Sequence, residues 1–333
     1  VHASHVTNVN FGAFDRCILS AGGIDRCVFL WRHDMLELEG SGGPSDAVES
    51  ASRKEESAGE SEMFAESGSN DNDDDMFMMG AERGGGDEFM AVKPYLGAIR
   101  APTEPPPDNP RRPQAELNLE RVHGIATNCR NHLYYVADGA LVYPAAALGV
   151  KLQVERSGET ASALSQEYHF GHTDDITCIC VSPDDRFVAT GQLGKKPVIR
   201  VWETSTMQLL TELIGVHQRS VNNLCFSTDG RRLLSTGGDN NHSHALWQDT
   251  GGSWSSARLE AKGNGDSNKV LFCACTFNDD FPIISGGLKH LKFWKVEGKA
   301  LKPKKGLFKE HKTNATLCSA NLKTSDGFKV IVG

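Results

Sequence analysis

The chain has no apolar run long enough to cross a bilayer, no leader-like opening, and no Cys-x-x-Cys pair among its nine cysteines. The first two absences argue against a membrane span and a secretory signal, and the sequence reads as cytosolic. The third removes the usual turn-borne zinc spacing. Cys178/Cys180 and Cys273/Cys275 are Cys-x-Cys pairs, which place both thiols on one face of a strand. They read as small buried hydrophobes of a reducing compartment. No nucleophile elbow appears, and Gly84-Gly85-Gly86 follows no strand, so it is not a phosphate loop. The expectation is a protein that is not an enzyme and has no cofactor, metal ion, nucleic-acid or membrane partner.

The net charge of −8 hides an uneven distribution. Between Glu39 and Val92 there are 15 acids and 3 bases, a net of −12, which leaves +4 elsewhere. This stretch is rich in Ser, Gly, Asp and Glu and lacks periodicity, so 39–92 reads as a solvated acidic linker. Asp71, Asp73, Asp75 and Glu82 fall at positions 1, 3, 5 and 12 of a calcium-loop spacing. However, Met76 stands where that loop needs glycine, and no flanking helices are evident. The run Met76-Phe77-Met78-Met79 could dock on a partner; a plain linker is the simpler reading.

What the chain does have is repetition. One segment opens at Gly171-His172 and closes at Ile199-Arg200-Val201-Trp202. A second opens at Val216-His217 and closes at Ala245-Leu246-Trp247. A third runs from Val270 to Leu291-Lys292-Phe293-Trp294. The closing tryptophans lie 45 and then 47 residues apart. That period, with Gly-His openings and Trp closings, marks β-propeller blades of the WD-repeat kind. Within a copy, alternating runs such as Ile176, Cys178, Cys180 are punctuated by turns such as Ser182-Pro183-Asp184-Asp185, as antiparallel strands require. The predicted fold class is therefore all-β, built of propeller blades. A propeller is first a binding surface.

The polar residues at fixed repeat positions read as a buried hydrogen-bond network. His172, Thr190 and Trp202 form one set. His217, Ser235, Asp239 and Trp247 form the next, and Trp294 closes the third. Such a network satisfies polar groups that burial would otherwise penalise. A catalytic Ser/His/Asp reading is set aside for that reason. The first copy lacks the turn aspartate and carries the insertion 191–197.

Partial copies flank these three. Residues 1–38, ending in Phe29-Leu30-Trp31, read as the last blade of an upstream propeller, with His5 near its opening. His311 to Gly333 reads as a blade stopped mid-strand. A piece of a longer protein is the expectation. Residues 93–135 hold a proline-rich stretch, from Ala101-Pro102 to Arg112-Pro113, that reads as extended polyproline backbone. Leu117-Asn118-Leu119-Glu120-Arg121-Val122-His123-Gly124 and Cys129-Arg130-Asn131-His132-Leu133-Tyr134-Tyr135 follow. Residues 136–333 read as the first blades of a second propeller.

The segment Leu117–Tyr135 placed before such repeats resembles the hydrophobic motif of the echinoderm microtubule-associated protein-like family. Gly171-His172-Thr173-Asp174-Asp175, Ala189-Thr190-Gly191-Gln192 and Lys304-Lys305-Gly306-Leu307-Phe308 match that family's style. The resemblance covers roughly 93–333 and implies binding to tubulin and microtubules in the cytoplasmic cytoskeleton. Apparent tandem units extend this to a ciliary or flagellar axoneme, with other axonemal or cytoskeletal proteins as partners. The rival reading is a WD-repeat scaffold that assembles a complex without touching tubulin. One local feature suits an acidic partner. Lys295, Lys299, Lys302, Lys304, Lys305, Lys309 and Lys312 outnumber Glu297 and Glu310 on what reads as a loop between blades. Arg111 and Arg112 are weaker candidates.

Overall fold

The computed structural model describes residues 2, 6–11, 17–22, 26–35, 115–125, 132–157, 160–308, 315–324 and 327–333. Among these, every regular element is a β-strand. Blade three contains β9 (Ile176–Val181), β10 (Phe187–Gln192), β11 (Ile199–Glu203) and β12 (Leu209–Leu213), hydrogen-bonded in that order. Blade four repeats it with β13 (Val221–Phe226), β14 (Arg232–Gly237), β15 (His244–Gln248) and β16 (Arg258–Gly263). Blade five has β17 (Val270–Cys275), β18 (Ile283–Gly287), β19 (His290–Glu297) and β20 (Ala300–Lys305). A single parallel bridge, Lys262 to Ala300, joins the outer strands of blades four and five. A sixth unit shows β21 (Ser319–Thr324) and β22 (Gly327–Val332).

The turn chemistry repeats with the strands. Ser182 Oγ donates to Asp184 Oδ1 at 2.6 Å and accepts from the Phe187 amide at 2.9 Å. Ser227 makes the same pair of bonds, to Asp229 and from Arg232. The fourth turn residue is left-handed in both, Asp185 at φ 57° and Gly230 at φ 69°. Asp and Gly are among the few residues that adopt this conformation at low cost.

Each blade buries one face against the blade before it. Trp202 packs with Val136, Val142, Ile179 and Met207, between blades two and three. Trp247 packs with Phe187, Val201 and Leu224, between three and four. Trp294 packs with Leu234, Leu246 and Ile283, between four and five. Strand β10 is buried at all six positions because it is covered on both faces. The inner strands β9, β13 and β17 contact one another in sequence. Gly191 is needed where they meet: a Cβ there would lie 2.7 Å from Val221 Cβ and 2.9 Å from Cys178 Sγ.

The N-terminal blade departs from the sequence-based division. Its sheet runs β1 (Val6–Phe11), β2 (Cys17–Gly22), β3 (Val28–Met35), β4 (Ala115–His123). The fourth strand comes from the hydrophobic motif, so the blade is not complete within 1–38 and 93–135 is not a free-standing segment. The pairing of β3 with β4 begins at Met35↔Ala115 and ends at Val28↔His123. Residues 36–114 are thus an insertion between two antiparallel neighbours, and both its ends are held by one sheet. The acidic stretch at 39–92, with its calcium-loop spacing and methionine run, and the prolines of 101–113 lie outside the described residues. Replacing 36–114 by a two-residue Asn-Gly turn, which suits such a hairpin, is expected to leave near-UV circular dichroism and the thermal midpoint unchanged within a few degrees. Loss of the folded signal would refute the insertion topology.

Blade two, β5 (Tyr134–Tyr135), β6 (Leu141–Ala145), β7 (Leu148–Ser157) and β8 (Thr160–His169), meets blade one through the outer strands β4 and β8. Phe29 and Val122 pack there with Ala145, Leu148 and Val150. Gln166 acts as a side-chain rung. Its Oε1 accepts from the Val122 amide at 2.8 Å, and its Nε2 donates to the Val122 carbonyl at 3.0 Å. This outer-strand contact differs from the inner-strand stacking of blades three to five.

Candidate functional site

The repeat polar residues form directed hydrogen-bond chains. In blade four, Trp247 Nε1 donates to Ser235 Oγ at 2.9 Å, and Ser235 Oγ lies 2.6 Å from His217 Nε2. His217 Nδ1 lies 2.8 Å from Ser243 Oγ, which donates to Asp239. Asp239 accepts only, so Ser243 must accept from His217 Nδ1–H. The network thus assigns a neutral histidine, with Nε2 accepting from Ser235. Asp239 therefore reaches His217 through Ser243, a residue the repeat pattern did not single out.

Blade three builds the same chain with other parts. Trp202 Nε1 donates to Thr190 Oγ1 at 3.3 Å, and His172 Nε2 lies 2.7 Å from that hydroxyl. His172 Nδ1 lies 2.6 Å from Gln192 Oε1, so an amide oxygen replaces the Ser–Asp pair. In blade five Trp294 Nε1 donates to Ser285 Oγ at 2.8 Å. In blade one Trp31 Nε1 and His2 Nε2 both reach Ser20 Oγ at 2.8 Å. The sequence pattern points to His5, which lies outside the described residues, and to the Leu19-Ser20-Ala21 run, but not to His2 or Ser285. Burial lowers the His172 pKa to about 3 and the His217 pKa to about 4. These histidines are buried, neutral partners in the hydrogen-bond chains.

The candidate contact lysines sit elsewhere, on a β-hairpin and not on a loop between blades. Lys295 is on β19, Lys299 in the turn after it, and Lys302, Lys304 and Lys305 on β20, the outermost strand of blade five. The expectation of an inter-blade loop is corrected: Leu301, buried against blade four, and the pairing of β20 with β19 hold the segment as strand. All five lysines are exposed. Lys295 and Lys302 are directly opposite each other in the register, and Phe293 faces Lys304. Side chains alternate across a strand, so Lys295, Lys302 and Lys304 share one face while Lys305 takes the other. Lys304 Nζ stands 5.2 Å from the Phe281 ring centroid, a cation–π contact. None of the five makes an ion pair with a described residue.

Two neighbours refine the patch. Lys262, exposed on β16, donates its amide to the Lys299 carbonyl at 3.1 Å and extends the basic edge. Lys292, in contrast, is engaged: its Nζ lies 2.8 Å from Asp266 Oδ2. Like charges placed opposite each other on neighbouring strands repel, so an anion laid across Lys295 and Lys302 would relieve that repulsion. Lysines and a proline such as Pro303 also keep an outermost strand from pairing with another chain. Both roles can hold together. Lys309, Lys312, Arg111 and Arg112 lie outside the described residues.

A family model described as the first β-propeller of echinoderm microtubule-associated protein matches residues 165–332. A model of the HELP motif matches 112–150, which spans β4 and the start of blade two. The chain is 31% identical to mouse echinoderm microtubule-associated protein-like 2 over 227 residues, 64% of this chain and 33% of that protein. It is 34% identical to the human echinoderm microtubule-associated protein-like 1 over 220 residues, 62% and 25% of the two chains. The 77 kDa echinoderm microtubule-associated protein of Lytechinus variegatus is 30% identical over 209 residues, 60% and 30%. The chain spans a quarter to a third of the length of these relatives.

Proposed function

The chain belongs to the echinoderm microtubule-associated protein family, and on that basis we propose that it is a non-enzymatic WD-repeat protein that binds the tubulin lattice of cytoplasmic microtubules. The observation that supports the reading most is the family match over the blades. The contact we assign is the basic edge of blade five, Lys295, Lys299, Lys302, Lys304 and Lys305. Exposed, unpaired lysines on a rigid hairpin attract an acidic surface at long range and lose little entropy on contact. A finer placement in a ciliary or flagellar axoneme follows from the same logic, because a long lattice rewards repeated weak contacts.

The test is co-sedimentation with polymerised microtubules over a salt series, beside a variant with Lys302, Lys304 and Lys305 changed to Glu. Reversing three charges is expected to weaken binding at least about tenfold at low salt, and to flatten its salt dependence. Equal pelleting of both proteins would reject the lysine edge while keeping the function. No pelleting at low salt would favour a scaffold that assembles other proteins without touching tubulin.

A further inference from the structure

A cleft of about 240 Å³ opens between blades two and three, on the side of their β5–β6 and β9–β10 turns. Asp138, Asp184, Asp185 and Glu203 line it, with Lys151 and Arg186 as the only bases. Lys151 Nζ is held by Asp138 at 2.7 Å, which cancels that pair. The Arg186 guanidinium is parked over the Phe187 ring, 4.9 Å from its centroid. Three carboxylates keep unused acceptors. Asp184 turns Oδ1 to its own turn, leaving Oδ2. Glu203 receives Thr206 on Oε2, leaving Oε1. Asp185 makes no side-chain bond to a described residue.

A second observation is independent of charge. Thr204 lines the same cleft, is 5% exposed, and its hydroxyl oxygen has no partner. A buried hydroxyl without a partner is costly to keep. Among the described residues no three His, Cys, Asp or Glu side chains gather closely enough to hold a metal ion. The acceptors are spread, which suits an extended cation with several donors. A guanidinium carries five N–H groups in a planar fork.

We propose that this cleft binds an arginine side chain presented by a partner protein, with Asp184, Asp185 and Glu203 accepting from the guanidinium and Thr204 completing its shell. The site is distinct from the lysine edge of blade five and of opposite charge. It gives the molecule a second surface that selects basic segments.

The test titrates the chain with the blocked peptide acetyl-Gly-Arg-Gly-amide and with its citrulline counterpart, which keeps the shape and removes the charge. The readout is the amide shifts of residues 184–186 and 203–206. Saturable shifts are expected with the arginine peptide and not with citrulline. Glu203→Gln with Asp185→Asn is expected to weaken binding about tenfold or more, and Asn tolerates the left-handed backbone at 185. Asp279→Asn with Asp280→Asn, exposed on blade five, serves as the charge control and should leave binding unchanged. Thr204→Val is expected to weaken the peptide without lowering the thermal midpoint. Equal shifts with citrulline, or binding indifferent to the Glu203 and Asp185 changes, would overturn the proposal.

Discussion

Lowering the pH from 7 to 4.5 is expected to unfold the blades, through histidines that the fold holds neutral. Burial lowers His172 to about 3, His217 to about 4 and His244 to about 3. In the unfolded chain each returns to near 6.5. A depressed histidine binds more protons unfolded than folded, so stability falls as pH drops below the unfolded value. It keeps falling until the folded value is reached. The window therefore runs from about pH 6.5 to about 4 for His217 and to about 3 for His172 and His244, and each histidine removes about 1.4 kcal/mol per pH unit within it. Three together approach the whole stability of an ordinary domain by pH 4.5. Carboxylates with lowered pKa, such as Asp239 and Asp138, begin to act as pH falls through the unfolded carboxylate value near 4, so above about pH 5 the histidine effect stands alone. Urea unfolding at several pH values reads the proton uptake directly. A slope near zero between pH 6.5 and 5 would show that these histidines are not held neutral.

His244 shows what the sequence could not announce. It stands on β15 in no repeat motif, yet it is fully buried between blades four and five. Its Nδ1 meets Thr236 Oγ1 at 2.9 Å and its ring sits edge-on to Trp294. Its importance comes from tertiary enclosure, which a strand pattern does not encode. The strands themselves were legible, because alternating apolar residues between Asp/Gly turns fix both element and face at short range. The residues 176–181, 187–192, 221–226 and 232–237 follow that rule. The closure of blade one was not legible. Its fourth strand lies about eighty residues beyond the third, and the acidic stretch between them looks like a domain boundary. Register over that distance is chosen by packing, here Phe29 and Val122 against blade two. The lysine segment misled for a related reason. Lys and Pro disfavour strands locally, and only the burial of Leu301 and the pairing with β19 make it one.

The same distinction governs the binding surfaces. The hydrogen-bond chains are enclosed and repeat in several blades, so they set the rigidity of the frame and not its choice of partner. The lysine edge and the acidic cleft sit at positions where one blade differs from its described neighbours. Among the described blades, blade five carries a run of lysines along its outer strand, whereas β12 presents Leu209 and Glu212 and β16 presents Arg258, Leu259 and the single Lys262 that continues the edge. Specificity in a repeat fold resides in such departures, because the shared residues are already committed to packing.

Ser235→Ala is expected to destabilise the chain by about 2–5 kcal/mol, out of proportion to the single oxygen removed. Ser235 is fully buried and stands between two other buried groups. It accepts from Trp247 Nε1 and donates to His217 Nε2. Alanine leaves both without a partner, and each orphaned buried group costs about 1–3 kcal/mol. No water can enter to replace the hydroxyl in a site this closely packed. Ser235→Thr keeps the oxygen, and blade three already uses threonine at the equivalent Thr190, so its loss should stay below about 1 kcal/mol. Trp247→Phe removes one donor and leaves the serine free to bond His217, so it should fall between the two, with a packing loss added. The order of urea midpoints, wild type and Ser235→Thr above Trp247→Phe above Ser235→Ala, separates a chain of dependent bonds from simple loss of side-chain volume. If cavity size alone mattered, Trp247→Phe would be the more damaging change, since it deletes far more atoms. That inversion is the result that would sink the network as the element holding each blade in register.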